Sequence, residues 1–188
     1  PEQPLRVPIG RLDKDTSCLI LIAKNKYAAE QLERQRANHT LSRVYLALAE
    51  GHWTNQSKSG LINRPIEKVP ECFNRYQVAD TGRPSRTEYE VLSEFTSEET
   101  PFSLVRLKLQ TGRTHQIRVH MASLSHPLLG DSIYGHEGFL GFNRAALHSF
   151  EITCQLPGHQ DLAVFSSEMP EDFQKMIAES INSSSTLI

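Results

Sequence analysis

The 188-residue sequence predicts an α+β domain built on a mixed, mainly antiparallel sheet with helices packed against it. Two observations favour this fold class. Several segments alternate apolar and polar residues with the period of two that strands require, and few helical segments separate them. In the clearest case Thr87, Tyr89, Val91 and Phe95 share one face, while Glu88, Glu90 and Glu94 occupy the other. The length also suits a single buried core.

The first half of the chain is predicted to contain two strands and one helix before an irregular stretch. Residues 18–23 form an apolar strand, and Asn25 is a suitable N-cap for a helix that ends near Asn38. Residues 43–50 are apolar on both alternating faces, which is typical of an interior strand. Residues 56–86 contain several Gly and Pro and no sustained period, so we expect an arm or hairpin laid over the functional face.

The second half is predicted to contribute four strands. Residues 87–95 and 102–109 form a hairpin, in which Lys108 faces away from the core. Residues 147–154 and 162–165 form two later strands. Together with the earlier strands they make the sheet long enough to carry helices on its surface.

Two helices are predicted in the same half. Thr114 is the expected N-cap of the first, and Pro170 suits the first turn of the last. The residues expected to face the core from these helices are Ile117, Met121, Leu124, Phe173, Met176, Ile177 and Ile181. We expect one catalytic domain over residues 1–182 and a frayed tail over residues 183–188.

The composition argues against a membrane span, a disulfide framework and a metal site. No apolar run reaches the length that crosses a bilayer. Cys18, Cys72 and Cys154 are odd in number and far apart, which favours a reducing compartment such as the cytoplasm. His115 and His120 are five residues apart, so they share neither a helix face nor a strand face, and we predict no metal.

Charge is distributed unevenly along the chain. The formal net charge is only −2, which does not by itself indicate a nucleic-acid-binding protein. Cations nevertheless outnumber acids in the irregular stretch, namely Lys58, Arg64, Lys68, Arg75, Arg83 and Arg86. A partner such as RNA would therefore bind to one face only.

Three segments carry the candidate chemistry. The first, Arg11-Leu12-Asp13-Lys14-Asp15-Thr16-Ser17, is a charged turn that leads directly into an apolar strand. The second places Tyr45 in the apolar strand at residues 43–51, and the third is Thr-Gly-Arg-Thr-His-Gln-Ile-Arg-Val-His at residues 111–120. Taken alone, the first segment can be turn chemistry before a strand, and Tyr45 can be a core aromatic with a satisfied hydroxyl.

In order and spacing, the three segments resemble the signature of RluA-type pseudouridine synthases. That signature runs (H/G)RLD-x-x-T-S-G-L, then K-x-Y-x-A-x-x-x-G, then T-G-R-T-H-Q-I-R-V-H. The resemblance implies the pseudouridine synthase catalytic-domain fold and isomerisation of specific uridines in ribosomal or transfer RNA, without cofactor or metal. Gly10 and Cys18 depart from the commonest pattern, which bears on turn geometry and not on the reaction. Strands that usually precede the Arg-Leu-Asp turn are expected to be absent from this chain.

The resemblance also implies roles for individual residues. Asp13 would be the catalytic nucleophile or base, with Asp15 as its rival, and Arg113 would pair with Asp13 to keep it ionised. Tyr45 would stack on the everted uracil and act in the late proton removal at C5, and Arg11 would fill the vacated stack. Further RNA-binding cations would be Lys108 and Arg118, the latter structural or phosphate-binding.

Two other classes of function stay open at this level. A non-catalytic RNA-binding or RNA-remodelling module on the same fold predicts RNA affinity that Asp13→Ala leaves intact. An unrelated hydrolase with Asp13 as nucleophile predicts turnover of small molecules without RNA. Release of tritium from uridine labelled at C5 distinguishes all three classes.

Overall fold

A computed structural model of the chain describes residues 5–14, 16–54 and 56–185. Asp15 and the end of the predicted tail, residues 186–188, lie outside these ranges. The strands within them are β1 (Val7–Pro8), β2 (Ser17–Cys18), β3 (Ile22–Ala23), β4 (Ser42–Glu50), β5 (Ser59–Asn63), β6 (Ile66–Lys68), β7 (Tyr76–Val78), β8 (Arg86–Ser97), β9 (Thr100–Leu109), β10 (Leu147–Gln155) and β11 (Leu162–Ser166). The helices are α1 (Lys26–Ala37), α2 (Gln116–Ser123) and α3 (Glu171–Ser185), with one 3₁₀ turn at Phe139–Gly141.

The central sheet of the described chain has seven strands and confirms the predicted fold class. Six of them follow the order β11-β10-β4-β9-β8-β5, and each neighbouring pair in this series is antiparallel. The seventh, β2, pairs in parallel with β10, so the sheet is mixed. Strand β4 lies in the interior of the sheet and is buried along six consecutive residues, as its apolar sequence predicts.

Helices pack on both faces of the sheet, and Leu32 of α1 joins Ile152 and Cys154 of β10 in a further cluster. On the first face, Tyr45 and Leu107 pack with Ile117 and Met121 of α2. On the second face, the apolar residues of β4 and β9 pack with Phe173 of α3. We call these the α2 face and the α3 face. Because successive residues of a strand point to opposite faces, neighbours of Tyr45 along β4 belong to the α3 face.

Several predicted boundaries are confirmed. The side chain of Asn25 accepts the N–H of Ala28 at 2.8 Å and begins α1, which ends at Asn38. The hairpin of β8 and β9 and the strands β10 and β11 are formed as predicted. A bulge between Val91 and Ser93 shifts the register of β8, so Phe95 packs on the face opposite to Tyr89 and Val91, and its predicted place on their face is wrong. In α3 the buried residue Phe173 lies in the core, but Ile181 is 53% exposed and its predicted core position is wrong. The backbone of α3 continues as a helix to Ser185.

The predicted strand at residues 18–23 is wrong. Its two ends belong to different sheets, since β2 joins the central sheet while β3 pairs with β1 in a separate ladder. The chain crosses between them at residues 19–21, where the N–H of Leu19 donates to Ser149 and the carbonyl of Leu21 accepts from Ile9. An apolar run that bridges two layers has no single period to reveal the crossing.

The irregular stretch contains the hairpin that the sequence predicted, formed by β6 and β7, and the strand β5, which was not predicted. Strand β5 extends the central sheet beside β8, and β6 pairs with β7 in a two-stranded hairpin. We call residues 66–78 the arm. These strands have only three to five residues each, and Pro65 and Pro70 lie between them. Segments this short do not show a clear period of two.

Helix α2 begins later than predicted and without the predicted cap. His115, not Thr114, precedes its first residue, and the backbone of His115 is left-handed with φ 55°. No side chain caps this end, and instead the side chain of Gln116 accepts the N–H of Arg113 at 3.0 Å. Helix α2 is buried from Gln116 to Met121, so it is surrounded on all sides. No helix in the described ranges is long and apolar enough to cross a membrane.

A buried histidine of α2 predicts loss of stability in acid. His120 Nε2 faces the carbonyl of Arg64 at 2.9 Å and must donate to it, so Nδ1 accepts from the hydroxyl of Thr87 at 2.8 Å. The neutral imidazole of His120 therefore has a hydrogen bond at each ring nitrogen. Burial lowers the pKa of His120 below its ordinary 6.5. Burial also lowers the pKa of His115 and of His148.

Since these pKa values are lower in the folded chain, the unfolded chain binds more protons below pH 6.5. The contribution of these neutral histidines to the free energy of unfolding should be complete above pH 6.5. It should decrease as the pH falls from there towards the pKa values of the folded chain. Urea denaturation at about pH 7.5 and about pH 5.5 measures the fall. His120→Gln should make it shallower, and the exposed control His39→Asn should not. An unchanged slope in His120→Gln would contradict the assignment.

Candidate active site

Asp13 lies in a tight turn between β1, in the two-stranded ladder with β3, and β2, in the central sheet. The N–H of Thr16 donates to the carbonyl of Asp13 at 3.1 Å and closes the turn. The turn is entered through Gly10, whose φ of +89° is a conformation that side chains rarely adopt. After the turn, Ser17 pairs with β10 and its hydroxyl contacts Nδ1 of His148 at 2.9 Å. Asp13 is therefore held on a rigid edge of the sheet, with 27% of its side chain exposed.

The cation beside Asp13 is Arg118, and the predicted pairing of Asp13 with Arg113 is wrong. Arg118 Nη1 lies 3.8 Å from Asp13 Oδ2. Arg113 is exposed, and its Nε donates to the carbonyl of Pro84 at 3.3 Å. Arg113 lies at the corner before α2 and its side chain turns towards Pro84, whereas Arg118 lies in the first turn of α2 and is buried.

Asp131 holds Arg118 in place. The fork of Arg118 binds it at two points, with Nε to Oδ2 at 2.7 Å and Nη2 to Oδ1 at 2.6 Å. Asp131 is fully buried, and Oδ1 also accepts the N–H groups of Ile133 and Tyr134. This arrangement uses Nε and Nη2, and leaves Nη1 to face Asp13.

The charges of this group favour a permanent guanidinium cation. Burial by itself would lower the pKa of Arg118, but the hydrogen bonds and charge of Asp131, aided by Asp13, outweigh it and raise the pKa. The ring of Tyr134 lies 5.2 Å from the Arg118 guanidinium carbon and covers it. Asp13 thus faces a cation that cannot lose its proton and is shielded on one side from water.

Tyr134 also joins the arm to the site. Its hydroxyl accepts the N–H of Tyr76 in β7 at 2.9 Å and contacts Nδ1 of His115 at 3.0 Å. Burial raises the pKa of Tyr134 to about 12, so the hydroxyl keeps its proton. Asp131 and Tyr134 lie in no periodic segment or motif that marks them as site residues in the sequence. A charged residue within the apolar helix could have indicated a buried partner, since arginine is rarely buried unpaired.

Tyr45 lies on the α2 face, as a residue near Asp13 should. It is 4% exposed and packs with Leu12, the residue before Asp13. Arg11, Arg43 and Tyr45 line a shallow cleft beside the turn. Its free volume is about 10 Å³, close to the minimum for one water.

Lys108 does not lie near Asp13. It pairs with Val44 across β4 and β9, one residue away from Tyr45, and therefore points to the α3 face. It lines a groove of about 280 Å³ there with Arg106, Glu88 and Glu90. Arg11, by contrast, is exposed at the mouth of the cleft. Of the predicted RNA-binding cations, Arg11 and Arg118 are close to the candidate site.

Metal ligands are not clustered in the described part of the chain. No group of three or more His, Cys, Asp or Glu side chains there could hold a metal ion. The geometry therefore consists of a carboxylate, a fixed guanidinium and a buried tyrosine on one face of a mixed sheet. This set suits chemistry in which a carboxylate acts as nucleophile or base.

The mixed sheet and an arginine beside Asp13 are features that the resemblance implied, although the arginine is Arg118 and not Arg113. The family model for RNA pseudouridylate synthase matches residues 2–123, and the chain belongs to this family. Among its relatives is the uncharacterized RNA pseudouridine synthase YhcT of Bacillus subtilis, 41% identical over 168 residues, or 89% of this chain and 54% of that protein. Ribosomal large subunit pseudouridine synthase D of Nitrosomonas europaea is 36% identical over 177 residues, or 90% of this chain and 49% of that protein.

A solved structure supports the same relationship. Human RNA Pseudouridylate Synthase Domain Containing 1 superposes with a TM-score of 0.74 at 29% identity, over 87% of this chain and 69% of that one. The resemblance to RluA-type enzymes is thereby confirmed. The chain spans about half the length of the curated relatives it matches, 54% and 49% for the two named above.

Proposed function

We propose that this chain is the catalytic domain of an RNA pseudouridine synthase, which isomerises specific uridines in ribosomal or transfer RNA. The observation that carries the proposal is the contact between Asp13 and Arg118. A partly exposed carboxylate lies 3.8 Å from a guanidinium that Asp131 orients from behind. Family membership narrows the chemistry to uridine isomerisation.

The reaction rearranges bonds within one nucleotide. The bond from uracil N1 to ribose C1′ breaks, the base rotates, C5 bonds to C1′, C5 loses its proton and N1 gains one. The product is an isomer, so no group donor, redox cofactor or metal is required. Asp13 can add to C6 of the uracil, attack C1′ or remove a proton from C2′, and all three routes begin from its ionised form.

Arg118 takes the role that the family signature led us to assign to Arg113. Its positive charge offsets the cost of holding Asp13 ionised once an RNA base covers the cleft and excludes water. The contact is an ion pair at 3.8 Å without a hydrogen bond, so Asp13 keeps its lone pairs for the substrate. Arg113, exposed at the corner before α2, is placed for contact with RNA.

The RNA would approach across the arm and the Asp13 turn. Phe73, at the end of the arm, is 94% exposed and has Lys68 above its ring, so it can stack on an unpaired base. Arg11, which is exposed and lines the cleft, would occupy the gap that an everted uridine leaves. The free thiols Cys72 and Cys154 suit action in a reducing compartment, which for RNA modification is the cytoplasm.

Release of tritium tests the proposal. Bulk ribosomal and transfer RNA labelled at C5 of uridine, from cells that lack this protein, should release tritium to water when the purified chain is added. RNA binding without tritium release would favour the RNA-binding module. Turnover of small molecules without RNA would favour the hydrolase.

The hydroxyl of Tyr45 should matter more for turnover than for binding. Tyr45→Phe keeps the ring that packs with Leu12 and removes only the hydroxyl. If the hydroxyl acts in proton transfer, kcat should fall about 10²–10⁴-fold while RNA affinity changes little. Single-turnover kinetics with labelled RNA measure both quantities. Tyr27→Phe is the matched control, because Tyr27 is 59% exposed, and it should leave both unchanged. Full turnover by Tyr45→Phe would restrict Tyr45 to stacking.

A further inference from the structure

A second arginine faces the same cleft and has no established role. Arg43 is two residues before Tyr45 in β4, so both side chains belong to the α2 face. Arg43 lines the cleft with Arg11 and Tyr45. Its backbone pairs with Ile152 of β10, which fixes where the side chain begins.

The guanidinium of Arg43 lies between two glycines that belong to different motifs. A Cβ added to Gly112 would be 3.0 Å from Nη2, and a Cβ added to Gly10 would be 3.7 Å from Nη1. Gly10 precedes the Asp13 turn and Gly112 precedes α2. Because neither glycine has a side chain, the planar guanidinium of Arg43 fits between the two loops of the site.

This cation lacks a partner in the described part of the chain. No salt bridge involves Arg43 there, and its Nε is buried without a hydrogen bond. Other arginines nearby differ, because Arg36 pairs with Glu33 and Arg118 with Asp131. Buried donors of a charged side chain cost free energy unless an anion satisfies them. The absence of a protein anion points to one supplied by a ligand.

We propose that Arg43 is the phosphate-binding residue of the cleft, and that it holds a phosphate of the RNA strand that carries the target uridine. This rests on the proposed function for the identity of the ligand. The planar fork of arginine matches two phosphate oxygens, and the neighbouring Arg11 adds positive charge at the cleft mouth. A phosphate fixed here would restrain the strand next to Asp13 while the base leaves its stack.

The first experiment uses inorganic phosphate and does not depend on catalysis. At constant ionic strength, replacing chloride by saturating phosphate should raise the melting temperature of the unaltered chain by about 2–4 °C more than that of Arg43→Gln. Arg106→Gln, on the α3 face, is the control for general salt effects and should respond like the unaltered chain. In chloride, Arg43→Gln should melt at the same temperature or higher, because it removes an unpaired, half-buried charge.

Equal phosphate responses of the unaltered chain and Arg43→Gln would overturn the proposal. So would a lower melting temperature of Arg43→Gln in chloride together with an unchanged phosphate response, since Arg43 would then only brace the two glycine loops. If Arg43→Gln fails to fold, the side-chain Nε–H signal of Arg43 in the unaltered chain decides by NMR. It should shift on phosphate titration, and a constant signal would refute binding.

The second experiment measures RNA binding as salt is varied. Arg43→Gln should weaken binding of bulk ribosomal RNA about 10-fold and reduce the slope of log affinity against log salt by about 0.7–0.9, as loss of one phosphate contact predicts. Arg106→Gln should change neither. An unchanged slope would contradict the assignment. Absence of tritium release would refute the isomerase activity but leave the result with phosphate standing.

Discussion

Asp13→Asn should abolish formation of pseudouridine while leaving RNA binding almost intact. The amide has the size and shape of the carboxylate, so the turn closed by Thr16 and Asp13 can form as before. It cannot act as a nucleophile or base, whichever of the three routes operates. Loss of a catalytic nucleophile lowers kcat by about 10³-fold or more, and the residual rate comes from positioning alone. Single-turnover tritium release measures the loss.

Binding provides the second half of this experiment. Removal of Asp13 takes away a negative charge that lies 3.8 Å from Arg118, so affinity for anionic RNA should stay the same or rise. Asp161 is exposed and provides the control, because Asp161→Asn removes an equal negative charge far from Asp13 in the sequence. This variant should leave kcat unchanged. Retained turnover by Asp13→Asn would refute the role of Asp13 as nucleophile or base, and Asp15 would become the candidate for it.

The elements that the sequence predicted well are those with a sustained period. Helix α1 has its cap at Asn25, and β8 alternates over its paired positions from Thr87 to Val91, before the bulge. Both patterns are local, because a cap or an alternating face depends on residues within one element. Tyr45 and Asp13 could be proposed for a different reason, since each lies in a short motif whose spacing is itself the signal.

The errors arise where the structure depends on contacts between distant segments. Arg118, not Arg113, faces Asp13, because Asp131 binds the fork of Arg118 while Arg113 turns towards Pro84. Asp131 follows α2 in a loop, and its importance appears only when its carboxylate meets Arg118 thirteen residues away. No local pattern encodes a single buried partner at that separation.

The buried pair of Arg118 and Asp131 has a physical meaning beyond stability. Removing two charges from water costs about as much free energy as their attraction returns, so apolar residues of similar volume often stabilise a fold equally well. The pair therefore indicates a need for a charge at this place. Asp131 fixes the guanidinium, Tyr134 covers it, and Nη1 is left to face Asp13.

Breaking this pair should cause the largest loss of stability among the substitutions considered. Arg118→Met leaves Asp131 as a fully buried carboxylate that accepts only the N–H groups of Ile133 and Tyr134. Asp131→Asn leaves the buried guanidinium of Arg118 facing a neutral amide that cannot accept both of its hydrogen bonds. Each change should lower the free energy of unfolding by about 3–5 kcal/mol, because an uncompensated charge is buried. Urea denaturation at neutral pH measures it, with the exposed pair Lys175 and Glu179 as control, where Lys175→Met should cost less than about 1 kcal/mol.

The double variant Arg118→Met/Asp131→Asn separates the contribution to stability from the contribution to function. Both charges are then absent, so the double variant should be more stable than either single variant, which requires a coupling energy larger than the single loss of about 3–5 kcal/mol. Turnover should not return, because Asp13 would face an apolar side chain and lose the cation that keeps it ionised as RNA covers the cleft. A stable and active double variant would show that Arg118 serves the fold alone. A stable but inactive one places its charge in the reaction, since the fold would then be restored without it.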